Sequence, residues 1–135
     1  MSKTTESDIY KLIKKAVVNL KLNCHLTRIE GGLTISGIPD LHIVYYSNQV
    51  KKAVSFWAEL KSNNLKNCNL SKYQINWILK HSRAGGLVFI LNKPLSQPTL
   101  KLYRLEPSGV VAEQLAVSYN VEGVATLLEH VATTA

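Results

Sequence analysis

The sequence predicts an α/β domain in which a central mixed β-sheet is flanked by helices, and three stretches carry that prediction. Apolar residues at Ile9, Leu12, Ile13, Ala16, Val17 and Leu20 recur at the spacing of one helical face. Two runs of strand character, one opening at Asp40 and ending at Tyr46, the other from Val54 to Lys61, are separated by a polar turn short enough to fold them as a hairpin. A helical pattern from Ser71 to His81 then leads into Leu87-Val88-Phe89-Ile90-Leu91, an unbroken apolar run suited to a strand buried on both faces. A helix between two strands implies a right-handed crossover, and hence a sheet with both parallel and antiparallel pairs.

The remaining elements follow in order. Thr5-Glu6-Ser7-Asp8 has the form of a capping box that starts the first helix, with Lys11, Lys14, Lys15 and Lys21 towards water. Glu6 falls on the apolar stripe, near the positive end of the helix dipole, where an acidic side chain is favourable in its own right. Cys24 to Ile29 reads as a short strand, in which Arg28 is either a phosphate contact or a plain surface residue. Gly31 to Gly37 holds three glycines and two hydroxyls, a composition that suits close approach of another backbone or a simple connector. Pro39 fits the first position of a strand, where its missing amide is tolerated.

After Lys61 comes a polar loop from Ser62 to Asn69 that contains Lys66. Ser71 and Gln74 fit a Ser-x-x-Gln capping box at the start of the second helix, but Gln74 also shares the sheet-facing side of that helix with Trp77 and Ile78, so a cap and a site role compete for it. Gly85-Gly86 stops the helix. Pro94 to Pro98 is a linker, and Leu100 to Leu105, a turn at Pro107-Ser108-Gly109 and Val110 to Ala112 form an edge hairpin. Asn120 caps a last helix whose stripe of Val121, Val124, Leu128 and Val131 is expected to dock on its own domain or on a second subunit.

At 135 residues the chain suits one domain over 1–135, with a core at about 5–92 and the C-terminal hairpin and helix at about 100–132. A composition of 46% apolar and 19% charged residues argues against a disordered chain. The polar start, the absence of any run of membrane-spanning length and two distant cysteines without a Cys-x-x-Cys pair lead us to expect a reducing cytoplasm and no membrane partner. Cys24, Cys68 and the four histidines match no usual zinc spacing. Sixteen Lys and Arg against 9 Asp and Glu give +7, a surplus that suits a polyanionic partner.

The chemistry concentrates between Asp40 and Lys61. Side chains alternate along a strand, so Glu59 and Lys61 project from one face while Phe56, Ala58 and Leu60 project from the other. The hairpin brings Asp40 to the same spot. Two close carboxylates repel, and a divalent cation relieves that repulsion; Mg2+ fits, since it takes one or two carboxylates, keeps several waters and completes its shell with phosphate oxygens. A solvated Glu59–Lys61 neighbour pair is the plainer alternative, which leaves Asp40 and Trp57 unexplained.

Pro39-Asp40, followed after the hairpin by Glu59-Leu60-Lys61, resembles the PD-(D/E)XK nuclease signature. Gly37-Ile38-Pro39-Asp40, the Glu-x-Lys strand and the Gln74 helix together are closer still to its VRR-NUC branch, over about Glu6 to Leu91. The resemblance implies a restriction-endonuclease-like core and a catalytic set of Glu6, Asp40, Glu59, Lys61 and Gln74. It implies a Mg2+ site, with Mn2+ as a substitute, made by Asp40, Glu59, the main-chain carbonyl of Leu60, and Glu6 directly or through water. Lys61 would orient or help deprotonate the attacking water, and Gln74 would hold water or phosphate. Lys3, Lys11, Arg28, Lys66, Lys72 and Arg83 are the candidate phosphate contacts.

The expected activity is a metal-dependent DNA endonuclease. A compact chain of this kind is similar to small resolvases that cut four-way (Holliday) junctions as homodimers, matching a symmetric substrate; a phage or other mobile element would be a plausible source, which would place the protein in the host cytoplasm. A flap, nick or duplex cutter would use the same residues. A DNA-binding module that kept the fold without catalysis, or a subunit of a larger assembly, are the rivals from other classes.

Overall fold

The computed structural model describes residues 4–29 and 37–135. Lys3 and most of the glycine-rich segment from Gly31 to Gly37 lie outside the described residues. The elements run α1 (Glu6–Asn19), β1 (Cys24–Arg28), β2 (Leu41–Ser47), β3 (Lys52–Lys61), α2 (Lys72–Arg83), β4 (Val88–Asn92), β5 (Thr99–Leu105), β6 (Val111–Ser118) and α3 (Val121–Thr134).

The strands form one six-stranded sheet in sequence order, β1-β2-β3-β4-β5-β6. Neighbours pair antiparallel, except that β3 and β4 are parallel, with Trp57 opposite Val88 and Lys61 opposite Asn92. That pair is the one joined through α2, because a parallel return needs a long connection. The chain is therefore α/β, a mixed sheet with helices on both faces.

Alternation in β3 sorts the two sides. Val54, Phe56, Ala58 and Leu60 point to a core shared with Ile9, Ile13 and Ala16 of α1 and with Val124, Leu127, Leu128 and Val131 of α3. Trp57 points the other way, into a smaller core where Ile78 of α2 meets Val88 and Ile90. Every residue of β4 is buried, as its unbroken apolar run requires, since Phe89 and Leu91 enter the first core while Val88 and Ile90 enter the second.

The last helix docks on its own domain. Asn120 caps it by accepting from Gly123 N at 2.8 Å, and its stripe is buried against α1 and the sheet. Glu129 holds the helix to β2 by accepting from Ser47 Oγ at 2.7 Å and from the Tyr45 hydroxyl. Of the two docking alternatives that the sequence leaves open for this stripe, its own domain is the one observed.

Strand β6 reaches Ser118 instead of stopping at Ala112. Leu102 pairs with Leu115 but Tyr103 pairs with Glu113, so Gln114 is an extra residue in the ladder. The bulge interrupts the period of two, which hides the second half of the strand in the sequence. Among the described residues no helix is long and apolar enough to cross a membrane.

Candidate active site

The site lies at the end of β3, on the α2 side of the sheet. Leu41 pairs with Ala58, so continuing the register one step sets Asp40 opposite Glu59. At Asp40 β2 has ended, and the carboxylate takes over from the ladder: Leu60 N donates to Asp40 Oδ2 at 2.9 Å. The Asp40 carbonyl accepts from Ile29 N at 2.8 Å, which ties the same residue to the neighbouring strand. Both the main chain and the side chain of Asp40 are thereby fixed.

Glu59 is only 3% exposed, unusual for a carboxylate. Its Oε2 accepts from Gln74 Nε2 at 2.9 Å and lies 3.9 Å from Lys61 Nζ. Its Oε1 is buried with no hydrogen-bond partner among the described residues. Burial above all, then the neighbouring charge of Asp40, hold the Glu59 carboxyl well above the usual carboxylate range; Lys61 acts in the opposite sense, and Glu6 adds a smaller upward push.

Gln74 fills both of the roles that compete for it in the sequence. Its Oε1 accepts from Ser71 N at 2.9 Å, and its own amide N donates to Ser71 Oγ at 3.2 Å, completing the capping box of α2. The cap points Oε1 back at the helix start and leaves Nε2 aimed at Glu59. Lys61 Nζ donates to Asn69 O at 3.4 Å. Asn69 and Cys68 both have left-handed backbones, with φ of 58° and 57°, a conformation that costs about 1–3 kcal/mol per non-glycine residue. The loop that carries them is held by Asn63, which donates to the Cys68 carbonyl at 3.0 Å and exchanges hydrogen bonds with buried Asn92 at 3.1 and 2.9 Å.

Gly37 locks α2 to the segment that leads into Asp40. Its φ is +88°, and a Cβ there would lie 2.2 Å from the Tyr73 carbonyl oxygen. The glycine of the Gly-x-Pro-Asp segment is thus a packing requirement beneath the first turn of α2.

Not every expected residue joins this cluster. Glu6 begins α1 and is exposed, in place of the buried stripe position expected for it, because Thr5 caps the helix and its first residue projects beyond the packed turns. It reaches the site only as a charge felt by Glu59. Arg28 pairs with Leu41, so its side chain is on the α1 face, and its guanidinium sits 4.7 Å over the Tyr10 ring. The alternation that takes Asp40 to one side takes Arg28 to the other. Lys66 is exposed in the loop after β3, Lys72 starts α2 with its Nζ 5.4 Å from the Tyr73 ring centre, and Arg83 ends the same helix, exposed.

A group of aromatic residues, not among those expected, continues the site along the sheet. His42 is two residues from Asp40 and Trp57 two from Glu59, so both share the face of the carboxylates. Their rings are 4.7 Å apart. Trp77 and His81, three and seven residues after Gln74, add to the group from α2. Those spacings were the available signal. Burial, helped by the charges of His25 and His81, lowers the His42 pKa and favours a neutral imidazole.

Among the described residues no three His, Cys, Asp or Glu side chains come together as a ready metal centre. The oxygen donors of Asp40 and Glu59 nevertheless suit a hard cation that takes one or two carboxylates and keeps its waters, and Glu59 Oε1, without a partner among the described residues, is a buried acceptor for such an ion. No protein-family model and no curated protein matches the chain.

Proposed function

We propose that the chain is a Mg2+-dependent endonuclease that hydrolyses DNA phosphodiesters, of the PD-(D/E)XK type and similar to the VRR-NUC branch. The observation that carries this reading is the pairing of Asp40 with a buried Glu59 whose Oε1 has no partner among the described residues, beside Lys61 and Gln74. A buried, half-satisfied carboxylate next to a second one is costly for stability and useful for binding a cation. Asp40, Glu59 and the Leu60 carbonyl would hold Mg2+ or Mn2+, while Glu6, exposed at the start of α1, would add only its negative charge. When bound, such an ion lowers the pKa of a water and offsets charge on the phosphate.

The chain's own residues then divide the work. Lys61, anchored by Asn69 and facing Glu59, places an ammonium where a water or a non-bridging phosphate oxygen would sit. Gln74, held rigid by its cap, orients the Glu59 carboxylate. Hydrolysis forms a bond from water oxygen to phosphorus and breaks one phosphate ester bond, with a proton passing to the departing oxygen. Lys66 and Lys72 lie on the loop and helix start that flank the site and would track the DNA backbone.

The preferred substrate on this reading is a four-way junction cut by a homodimer, an assignment that rests on the resemblance to small resolvases. Purified protein is incubated with junction, flap and linear duplex of shared sequence, with Mg2+ or with chelator, alongside Asp40→Asn and Lys61→Ala. Metal-dependent paired cuts in the junction, lost in both variants, are the expected result. Cuts confined to flap or duplex would move the substrate while keeping the site, and intact DNA in every lane would overturn the nuclease reading.

A further inference from the structure

Helix α2 covers only part of its side of the sheet. Its core takes in Trp57 of β3 and residues of β4 and β5, whereas Val44 of β2 is 37% exposed and Ser55 of β3 and His25 of β1 are exposed too. Where the covered and bare parts meet, four half-buried rings form a continuous group. His42 packs on Trp57 at 4.7 Å, Trp57 meets Trp77 edge-on at 5.6 Å, and Trp77 stacks on His81 at 4.7 Å with planes 14° apart. Trp77 and His81 line a shallow hollow of about 290 Å³ with Lys80 and Ala84. Gly86 makes room for this: a Cβ there would lie 2.2 Å from two atoms of the His81 ring.

Three properties separate this group from ordinary core packing. It begins next to the carboxylates, since Trp57 is two residues along β3 from Glu59, a distance of about 7 Å. Its rings stay partly open to solvent although an apolar core lies directly beneath. It is edged by Lys80, with Arg83 following in the same helix of a protein of net charge +7. Although His25 and His81 both act on His42, the three histidines do not gather into a metal centre among the described residues.

We infer that the Trp57–Trp77–His81 face is a stacking subsite for unpaired nucleobases of a single-stranded segment, continuous with the candidate active site. Aromatic faces accept any base, and a flanking cation holds the phosphate, which is how sequence-tolerant single-strand binding is built. The inference rests on the nuclease reading and deepens it. It gives the enzyme a way to select branched or frayed DNA, where bases can leave the stack, over intact duplex.

The chain provides its own reporter, because Trp57 and Trp77 are the only tryptophans in the sequence. Wild-type protein is titrated in chelator with a short oligothymidylate and with an abasic deoxyribose-phosphate oligomer of equal length. Tryptophan emission is read together with the anisotropy of end-labelled DNA. We expect quenching by the base-bearing strand alone and an affinity for it roughly tenfold or more above that for the abasic strand, in line with the usual contribution of stacking one base. His81→Ala and Trp77→Ala should remove that preference while leaving abasic binding unchanged, and Trp77→Phe should restore most of it.

Equal affinity for the two strands, unchanged emission, or no binding of either would overturn the subsite. Cleavage of branched DNA without quenching would leave the nuclease standing and remove the subsite. Base-dependent quenching without any cleavage would do the reverse.

Discussion

Gln74 donates to Glu59 Oε2 at 2.9 Å while its own Oε1 closes the cap of α2 on Ser71. One side chain therefore couples the start of a helix to the orientation of a buried carboxylate. The two contributions can be separated by substitution. Gln74→Ala should lose both and destabilise the fold by about 1–2 kcal/mol in chemical denaturation. Gln74→Glu can still close a capping box but sets a second carboxylate against Glu59. It should keep more of the stability and still reduce cleavage by about 10- to 100-fold, the usual cost of removing a residue that orients a metal ligand.

The raised pKa of Glu59 makes the stability of the metal-free protein depend on pH. Between the unfolded value of 4.5 and the higher folded value, the native state binds more protons than the unfolded one, so stability falls as pH rises through that window. Melting in chelator should show this decline, and Glu59→Gln should flatten it. Added Mg2+ should raise the melting temperature most at the upper end of the window, where the carboxyl must otherwise ionise unpaired.

Gly37→Ala is expected to damage the site from outside it. The added methyl would meet the Tyr73 carbonyl in a backbone already at φ +88°. The strain should cost about 1–3 kcal/mol or more and shift the first turn of α2 away from Glu59. Cleavage should fall further than the loss of stability alone explains, which melting and initial rates measured on the same preparation would show.

The basic residues should differ in their effect on DNA. Lys66→Ala and Lys72→Ala should each weaken binding to all sequences alike and lower the slope of log affinity against log salt by about 1. Arg28→Ala should leave that slope unchanged, because its guanidinium packs over Tyr10 on the opposite face. Anisotropy titrations over a range of salt concentrations distinguish the three.

Much of this arrangement was legible in the sequence because it depends on local periodicity. The Thr5 and Ser71 capping boxes, the Asn120 cap, the Asp40 hairpin and the face shared by Glu59 and Lys61 all follow from spacings of two, three or four residues. What was hidden depends on tertiary placement. Arg28 looked available until the register fixed its side of the sheet. Gln114 sits in a bulge opposite Leu102 and Tyr103, so β6 loses its alternation midway. Asn69 and Asn92, which hold Lys61 and its loop, are ordinary polar residues until the chain folds back on them. The paired use of Gln74 was visible only as two rival roles, since nothing in the sequence says that one side chain can reach both partners.

The first measurement to make is a calorimetric titration of the metal-free protein with Mn2+ in buffers of different ionisation heat, beside Asp40→Asn and Glu59→Gln. Wild-type protein should bind the ion and release a proton as Glu59 ionises, with both binding and release lost in each variant. Binding that persists unchanged in both variants, or no binding by wild-type protein that melts as a folded domain, would contradict a metal site built on Asp40 and Glu59.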